Sequence, residues 1–300
     1  MRINIRHIIL VFVAALNLPS CIDEPIIYEP DRRIAFNAIV DVASKANDEA
    51  VLYPEDVPFR LWAYELPDAQ KWQGNEMSAI SMISGDKVVY NGNDWSTASD
   101  YLWPTRPNQL SFFAYSPAEA VALFTKEDGV MFKNFNALYN GDFLCSLPIT
   151  DASKPDTDAL TDIIFKSPLC DVEFYAYASA EEGTQIWIEG LLLNNVSCVG
   201  TFTSLPQWNW DELSGEREID VYQGDLLLEE TPLILGMRTL IIPQELKPVI
   251  RYSYKTTSSE AVIQMEVALD MQEAEKLVAG KKREYIIKVT PEYAKVQNPK

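Results

Sequence analysis

The chain has 300 residues, of which 47% are hydrophobic, and its formal net charge is −19 at pH 7. The apolar content excludes a disordered chain, and the acidic charge argues against binding of nucleic-acid phosphates and anionic lipid headgroups. The one histidine is His7, within the N-terminal apolar segment. Histidine-based catalytic triads and ordinary zinc sites are therefore not expected in the rest of the chain.

Residues 1–20 have the organisation of a secretory signal peptide. Arg2 and Arg6 precede an apolar run over 8–16, which is shorter than the ~20 residues that a membrane-spanning helix needs. The following Leu18-Pro19-Ser20-Cys21 is similar to the lipobox of bacterial lipoproteins. We expect removal of 1–20 and lipid attachment at Cys21, which places the mature chain on the outer membrane at the cell surface. The alternative is an uncleaved apolar N-terminus with an incidental cysteine.

The rest of the chain shows the period-two alternation of β-strands. In residues 171–176, for example, Val172, Phe174 and Ala176 alternate with polar or amphipathic side chains. Further strands are predicted over 34–40, 59–65, 88–90, 110–115, 186–193, 239–242, 250–255, 263–267 and 285–289, with turn-forming clusters between them. Short connector helices are predicted at 116–119, from a capping-box spacing, and at 270–279.

The predicted fold class is all-β, with two tandem antiparallel β-sandwich domains. The polar segment 150–158 separates two strand-rich halves, which predicts domains over 21–160 and 161–300. Asp151, Asp156, Asp158 and Asp162 form the densest acidic cluster, and we interpret it as a solvated linker rather than a calcium loop. Cys145, Cys170 and Cys198 match no metal motif, and we expect buried free thiols rather than a disulfide.

Four spaced motifs resemble the fimbrillin-like proteins of Bacteroidales, the lipoprotein-derived subunits of type V pili. The motifs are Tyr101-Leu102-Trp103-Pro104 with Leu110-Ser111-Phe112-Phe113-Ala114-Tyr115-Ser116-Pro117, then Gly141-Asp142-Phe143-Leu144, then Ile164-Phe165-Lys166-Ser167-Pro168-Leu169-Cys170-Asp171-Val172-Glu173-Phe174, and finally Leu240-Ile241-Ile242-Pro243-Gln244. Ser167 stands where the family usually has histidine. Asp23-Glu24 also resembles the acidic tag that directs Bacteroidetes lipoproteins to the outer face.

The resemblance implies two transthyretin-like β-sandwich domains and assembly with other pilus subunits by strand exchange. In that family a trypsin-like protease cuts after a basic residue and removes an N-terminal strand, and a strand of the neighbouring subunit fills the groove. Lys45 is the candidate cleavage residue here, whereas cuts at Arg32 or Arg33 would leave the predicted strand 34–40 in place. Because the family usually cleaves after arginine, the chain is interpreted as an uncleaved anchor or accessory subunit rather than the main structural subunit of the stalk, although the sequence does not decide among stalk, anchor and tip positions.

No catalytic residue, cofactor or metal site is expected, because the mature chain lacks histidine and any recognisable nucleophile or phosphate-binding motif. Adhesion to a host or glycan ligand is an additional expectation. The alternative function is a glycan-binding lipoprotein for nutrient capture that uses Trp208 and Trp210, with Trp72 and Trp95 in similar polar segments. The competing interpretation places these rings as caps on the ends of the sandwiches, with Trp62 and Trp103 in the core. A carboxylate-based hydrolase ranks third.

Overall fold

A computed structural model describes residues 32–41, 51–140, 143–271 and 277–297. Within these ranges the regular secondary structure is almost entirely β-strand, with two short 3-10 helices at Pro67–Ala69 and Glu76–Ser78. No helix in the described ranges has the length and apolarity to cross a membrane. The prediction of an all-β fold is confirmed.

The strands follow one another along the chain as follows: β1 Phe36–Val40, β2 Val51–Leu52, β3 Phe59–Leu66, β4 Ile80–Tyr90, β5 Trp95–Thr97, β6 Gln109–Ser116, β7 Leu123–Thr125, β8 Gly129–Asn136, β9 Leu144–Ser146, β10 Ile149–Ser153, β11 Thr161–Lys166, β12 Cys170–Ala178, β13 Gln185–Thr203, β14 Asn209–Leu227, β15 Leu233–Ile241, β16 Lys247–Lys255, β17 Ile263–Ala268, β18 Lys282–Val289 and β19 Ala294–Gln297. Each predicted strand overlaps one of these strands.

The first sheet closes on itself. Its strands run in the order β10-β6-β3-β4-β5-β1-β11-β9, with β2 paired to β1, and β9 also pairs with β6 through Tyr115↔Cys145 and Ser116↔Leu144. Strands β6, β3, β4, β5, β1, β11 and β9 therefore form a closed ring. The predicted N-terminal sandwich of two separate sheets differs from this ring, because the double pairing of β9 joins the two sheet edges that a sandwich leaves open.

Two further sheets contain most of the C-terminal strands. One has the order β15-β12-β18-β19, and the other has the order β17-β16-β13-β8-β7, with β14 paired to β13. A single hydrophobic cluster includes Phe174 and Ile287 of the sheet that contains β12 and β18, and Ile188 and Tyr252 of the sheet that contains β13 and β16. In β12 the predicted alternation is confirmed, since Val172, Phe174 and Ala176 are fully buried.

The predicted connector helix at 116–119 is wrong. Ser116 is the last residue of β6, and its hydroxyl group hydrogen-bonds the hydroxyl group of Tyr53 instead of capping a helix. The carbonyl oxygen of Pro117 accepts the backbone N–H of Ala120 (3.0 Å), which closes a turn. The other predicted helix, 270–279, falls largely on 272–276, outside the described residues.

The predicted domain boundary near residue 160 stays a prediction. Strand β11, which follows that position, belongs to the first sheet, whereas β7 and β8, which precede it, pair into the sheet of β13. A third hydrophobic cluster contains residues from both halves, including Phe113, Phe132, Phe202 and Ile242. The two halves of the sequence therefore share one packed region.

Candidate functional site

Strand β1 is the N-terminal strand of the described chain, and its neighbours place it inside the ring. All five of its residues pair with β11 in parallel, from Phe36↔Thr161 to Val40↔Phe165. On its other side β1 runs antiparallel to β2 and meets β5 at Phe36↔Trp95. Because β5 and β11 have β1 between them, the ring is closed only while β1 is in place.

The inward side chains of β1 lie in the core of the ring. Phe36 is 1% exposed and Ala38 is 2% exposed, and Ile34, just before the strand, is 3% exposed. The Phe36 ring meets Phe112 edge to face, with centroids 5.5 Å apart. Burying an aromatic ring of this size stabilises the fold by about 1.5–3 kcal/mol. Strand β1 is therefore held mainly by apolar packing.

The outward side chains of β1 continue a row across the neighbouring strands. Asn37 donates its Nδ2 amide to Oδ1 of Asp162 on β11 (3.0 Å). Ile39 is in register with Leu52 on β2 and with Ile164 on β11. Paired residues share a sheet face, so these three aliphatic side chains form a continuous outer row.

Two arginines that precede β1 form ion pairs that hold its N-terminal end in position. Arg32 pairs with Asp158 (Nη1 to Oδ1, 2.6 Å) and also donates to the backbone carbonyl of Asp156 (2.6 Å), while Arg33 pairs with Asp94 (2.6 Å). The Asp158 side chain is 96% exposed, so an ion pair of this kind contributes no more than about 1 kcal/mol. These contacts therefore orient the strand but contribute little to the free energy of folding.

The C-terminal end of β1 has its own pair of contacts. The Asp41 carboxylate pairs with Lys166 of β11 (2.5 Å), and the Asp41 backbone N–H donates to the carbonyl of Phe165 (2.9 Å). The chain then passes through 42–50, outside the described residues, and continues at β2. Lys45 lies in that segment. A cut after Lys45 would leave β1 on the shorter, N-terminal fragment.

The acidic residues of 151–162 bind separate partners. Asp151 accepts the backbone N–H of Trp72 (2.6 Å), and Asp156 pairs with Arg106 (2.5 Å). Asp158 pairs with Arg32, which precedes β1, and Asp162 accepts the amide of Asn37 in β1. The guanidinium of Arg106 lowers the pKa of the Asp156 carboxyl. Within the described ranges no group of three or more potential ligands is placed to hold a metal ion.

Cys145, Cys170 and Cys198 are buried free thiols, as predicted. Burial raises the pKa of the Cys170 thiol to about 11 and also raises the pKa values of Cys145 and Cys198. Thiols with raised pKa values are poor nucleophiles at neutral pH, so their role is packing.

The tryptophans of the polar segments are packed rather than free. Trp72 and Trp95 are 4% exposed, which corrects the expectation of exposed rings at these two positions. Trp208 and Trp210 are half-buried against Phe202, at centroid distances of 5.7 Å and 5.4 Å. Trp210 also donates its indole N–H to the carbonyl of Pro168 (3.0 Å). Their packing agrees with the capping interpretation, and a binding role for Trp208 and Trp210 stays a prediction.

Two of the predicted site residues, Cys21 and Lys45, fall outside the described residues. The side chains that hold β1 were not identified in that role from the sequence: Phe36 and Ala38 were not singled out, and Asp162 was interpreted only as part of a solvated linker. The alternation of 34–40 was visible, but it indicates only that one face is buried. It does not identify the partner strand, which lies more than 120 residues away.

The model of the fimbrillin-like family matches residues 60–300. The chain belongs to the fimbrillin-like family. A crystal structure of a fimbrial protein from Bacteroides vulgatus is similar to this fimbrillin-like chain, with a TM-score of 0.58, 15% identity, and coverage of 89% of this chain and 98% of that one. A candidate cell adhesion protein from Bacteroides ovatus has a TM-score of 0.50 and 11% identity over 91% of this chain and 97% of its own. No curated protein matches the chain.

Membership of the fimbrillin-like family assigns the chain to the fimbrial proteins of the cell surface, which assemble with other pilus subunits. The matched region begins at residue 60, after β1 and β2. The strand that closes the ring therefore precedes the part of the chain that the family model recognises.

Proposed function

We propose that this chain is a pilus subunit that joins its neighbour by exchanging β1 for an extended strand of that neighbour. The single observation that carries the proposal is the position of β1 in the ring, between β5 and β11, immediately before the segment that contains Lys45. Only one peptide connection on that side, through 42–50, has to be cut to separate β1 from the rest of the fold.

Removal of β1 would leave two kinds of unsatisfied surface. The facing edge of β11 would lose its backbone partners over residues 161–165, and unpaired backbone groups in a buried setting each cost about 1–3 kcal/mol. The space of Phe36 and Ala38 would expose the apolar interior of the ring. An incoming extended segment supplies both the hydrogen bonds and the apolar side chains, which is the general basis of β-strand addition.

The proposal includes a lipid anchor and a surface location. Cys21 would carry the acyl chains after removal of 1–20, and the subunit would be displayed from the outer membrane. A cut after Lys45 would release the main body from the lipidated fragment, whereas an uncut chain would remain at the membrane as an anchor subunit. Two domains, the ring and the C-terminal sheets, would be stacked along the filament. The work is binding and assembly rather than catalysis.

Limited trypsin digestion tests the proposal. Purified protein that starts at Cys21, without lipid, is treated briefly with trypsin, and its products are identified by mass spectrometry and light scattering after size exclusion. We expect a cut after Lys45, loss of the fragment that contains β1, and oligomers of the remaining body. The matched Lys45→Gln variant should stay whole at this position and monomeric. Wild-type protein that is cut after Lys45 but keeps the fragment and remains monomeric would contradict the exchange of β1.

A further inference from the structure

We infer that the groove of β1 selects its incoming strand by sequence and by direction. The strand that fits has an aromatic residue, an amide, a small residue and two aliphatic residues in consecutive positions, and it runs parallel to β11. This inference rests on the proposed function, since it describes the partner that would replace β1. It follows from the surroundings of Phe36, Asn37, Ala38 and Ile39, and Val40, which packs partly buried against the core of the ring, is the second aliphatic position.

The first inward position requires an aromatic ring. Phe36 is 1% exposed, is in register with Trp95 and meets Phe112 edge to face. Trp103, which also contacts Phe112 edge to face at 5.7 Å, closes the same region of the core. A smaller side chain at this position leaves a cavity among rings that belong to rigid strands.

The second inward position requires a small residue. Ala38 is 2% exposed and is in register with Ile163 on β11, and on its other side lies Tyr53, the residue after Leu52 of β2. The backbone N–H of Tyr53 also donates to the carbonyl of Ala38 (3.2 Å). Tyr53 packs against the rings of Trp95 and Phe165, at 5.2 Å and 4.9 Å. A larger residue in place of Ala38 would overpack this site, because these neighbours are themselves packed against other rings.

The two outward positions favour one polar and one aliphatic side chain. The position of Asn37 faces the carboxylate of Asp162 on β11, so a hydrogen-bond donor is favoured there and an acidic residue is repelled. The position of Ile39 lies between Leu52 and Ile164, and Leu147, which is 37% exposed, follows next to Ile164 through a backbone hydrogen bond of 2.9 Å. An aliphatic residue completes this row.

The direction follows from the hydrogen-bond pattern. Five consecutive residues of β1 pair with β11 in parallel, and the slanted hydrogen bonds of a parallel pair differ from those of an antiparallel pair. A strand inserted in reverse would change the parallel pair with β11 into an antiparallel pair, and the antiparallel pairs with β2 and β5 into parallel pairs. Direction is therefore part of the selection.

The last strand of this chain does not have the required pattern. In β19 the residues that face the core are Ala294 and Val296, which are 8% exposed, while Lys295 is exposed. Aligning Ala294 with the position of Phe36 leaves the aromatic site unfilled, and aligning Tyr293 there places Lys295 at the buried position of Ala38. β19 of a second copy therefore does not match the side-chain pattern that the groove of β1 requires.

Strand competition tests this selection. A protease site is introduced between residues 42 and 50 of the full mature chain, and the purified protein is cut there, so that β1 stays bound without a covalent link on its C-terminal side. A fluorescein-labelled peptide of residues 32–41 is exchanged into the cut protein and followed by fluorescence polarisation. Unlabelled ten-residue peptides then compete: the same sequence, its Phe36→Ala, Ala38→Leu and Asn37→Glu variants, the same residues in reverse order, and residues 288–297.

We expect the unchanged peptide to compete best. The Phe36→Ala change should weaken competition by about 100-fold or more, and the Ala38→Leu change by about tenfold or more, as cavity and overpacking costs of this kind imply. The Asn37→Glu change should weaken it several-fold, roughly as one exposed like-charge pair does. The reversed peptide and the peptide of 288–297 should not compete.

The outcomes separate the two proposals. If the labelled peptide of 32–41 never enters the cut protein, even in mild denaturant, exchange of β1 itself is wrong. If that peptide enters but the variant, reversed and 288–297 peptides compete equally well, exchange stands and the selection inferred here is wrong. The selection is upheld only by the ranking given above.

Discussion

Phe36 is the largest side chain that β1 places inside the ring, and it carries much of the binding of that strand. Its ring is 1% exposed and lies 5.5 Å from Phe112, whereas the adjacent Asn37 lies on the outer face. Two neighbouring residues of one strand thus differ sharply in what their removal costs. This contrast provides a matched pair of substitutions.

The substitution Phe36→Ala should lower the free energy of unfolding by about 3–5 kcal/mol, because it removes a buried ring and leaves a cavity. The control Asn37→Ala removes one exposed hydrogen bond and should change it by roughly 0.5 kcal/mol or less. Urea unfolding of the uncut chain, followed by tryptophan fluorescence, measures both values. Equal values for the two variants would mean that β1 is not packed as described.

Residue identity alone predicted some features of the site and not others. The alternation of Ile34, Phe36 and Ala38 identified a strand with one buried face. The polar neighbours of Trp72 and Trp95 suggested exposed rings, but both are buried, since a large ring reaches over its own polar segment to an apolar surface. The polarity of adjacent residues is therefore a poor guide to the burial of a tryptophan.

At the scale of elements, parallel pairs hold both β1 and β12, and the pair of β12 with β18 has a charged contact. Lys282 of β18 pairs with Glu173 of β12 (2.9 Å) and with Glu284 (2.8 Å). Burial pushes the pKa of Glu173 upward, but hydrogen bonds from Lys282 and Tyr175, with the Lys282 charge, outweigh it and hold this pKa below its usual value. The ionised Glu173 is therefore stabilised by the fold.

This lowered pKa predicts a pH dependence of stability. A carboxyl group whose folded pKa is lowered contributes stability above its unfolded pKa of about 4.3, and this stability is lost as the pH falls through the folded pKa. The Glu173→Gln variant should therefore be less stable than wild type at about pH 7, and the difference should shrink at about pH 3. Urea unfolding across this range measures it.

The control for this prediction is Glu218→Gln on the exposed strand β14. It should track wild type at every pH. A Glu173→Gln deficit that stays constant between neutral and acid pH would show that the loss comes from packing and not from the charge of Glu173.

The sequence pattern of an individual strand did not predict which strand it pairs with. The strands at 34–40 and 171–176 were predicted from alternation, but β1 pairs in parallel with β11, and β12 pairs in parallel with β18. An antiparallel sandwich was expected at both places. Alternation shows which face of a strand is buried, and parallel or antiparallel pairing buries that face equally well.

At the scale of the whole molecule, the ring and the C-terminal sheets meet in the third hydrophobic cluster. Phe143 lies 4.1 Å from Phe132 and 5.6 Å from Phe202, between centroids, so aromatic side chains from both halves of the sequence are in contact. The polar segment 150–158 suggested a linker between separate domains, but polarity did not reveal that β8, which lies before this segment, pairs with β13, which lies after it. Because β1 contributes no residue to this third cluster, replacement of β1 would leave these contacts in place.

The central claim is that β1 leaves the ring when subunits assemble, and a reversible lock on β1 tests it most directly. Asn37 and Asp162 face each other in register, with their side chains 3.0 Å apart. The double variant Asn37→Cys, Asp162→Cys joins β1 to β11 when oxidised and frees it when reduced. The buried native thiols, including Cys170 with its pKa raised to about 11, are poor competitors for this oxidation.

The measurement is the mass in solution, by light scattering, of the double variant after the cut at Lys45. Oxidised protein should keep the fragment of β1 and remain monomeric, and the same sample should form oligomers once a reducing agent is added. Equal assembly of oxidised and reduced protein would contradict the claim, because subunits would then be joining while β1 is still fixed in the ring.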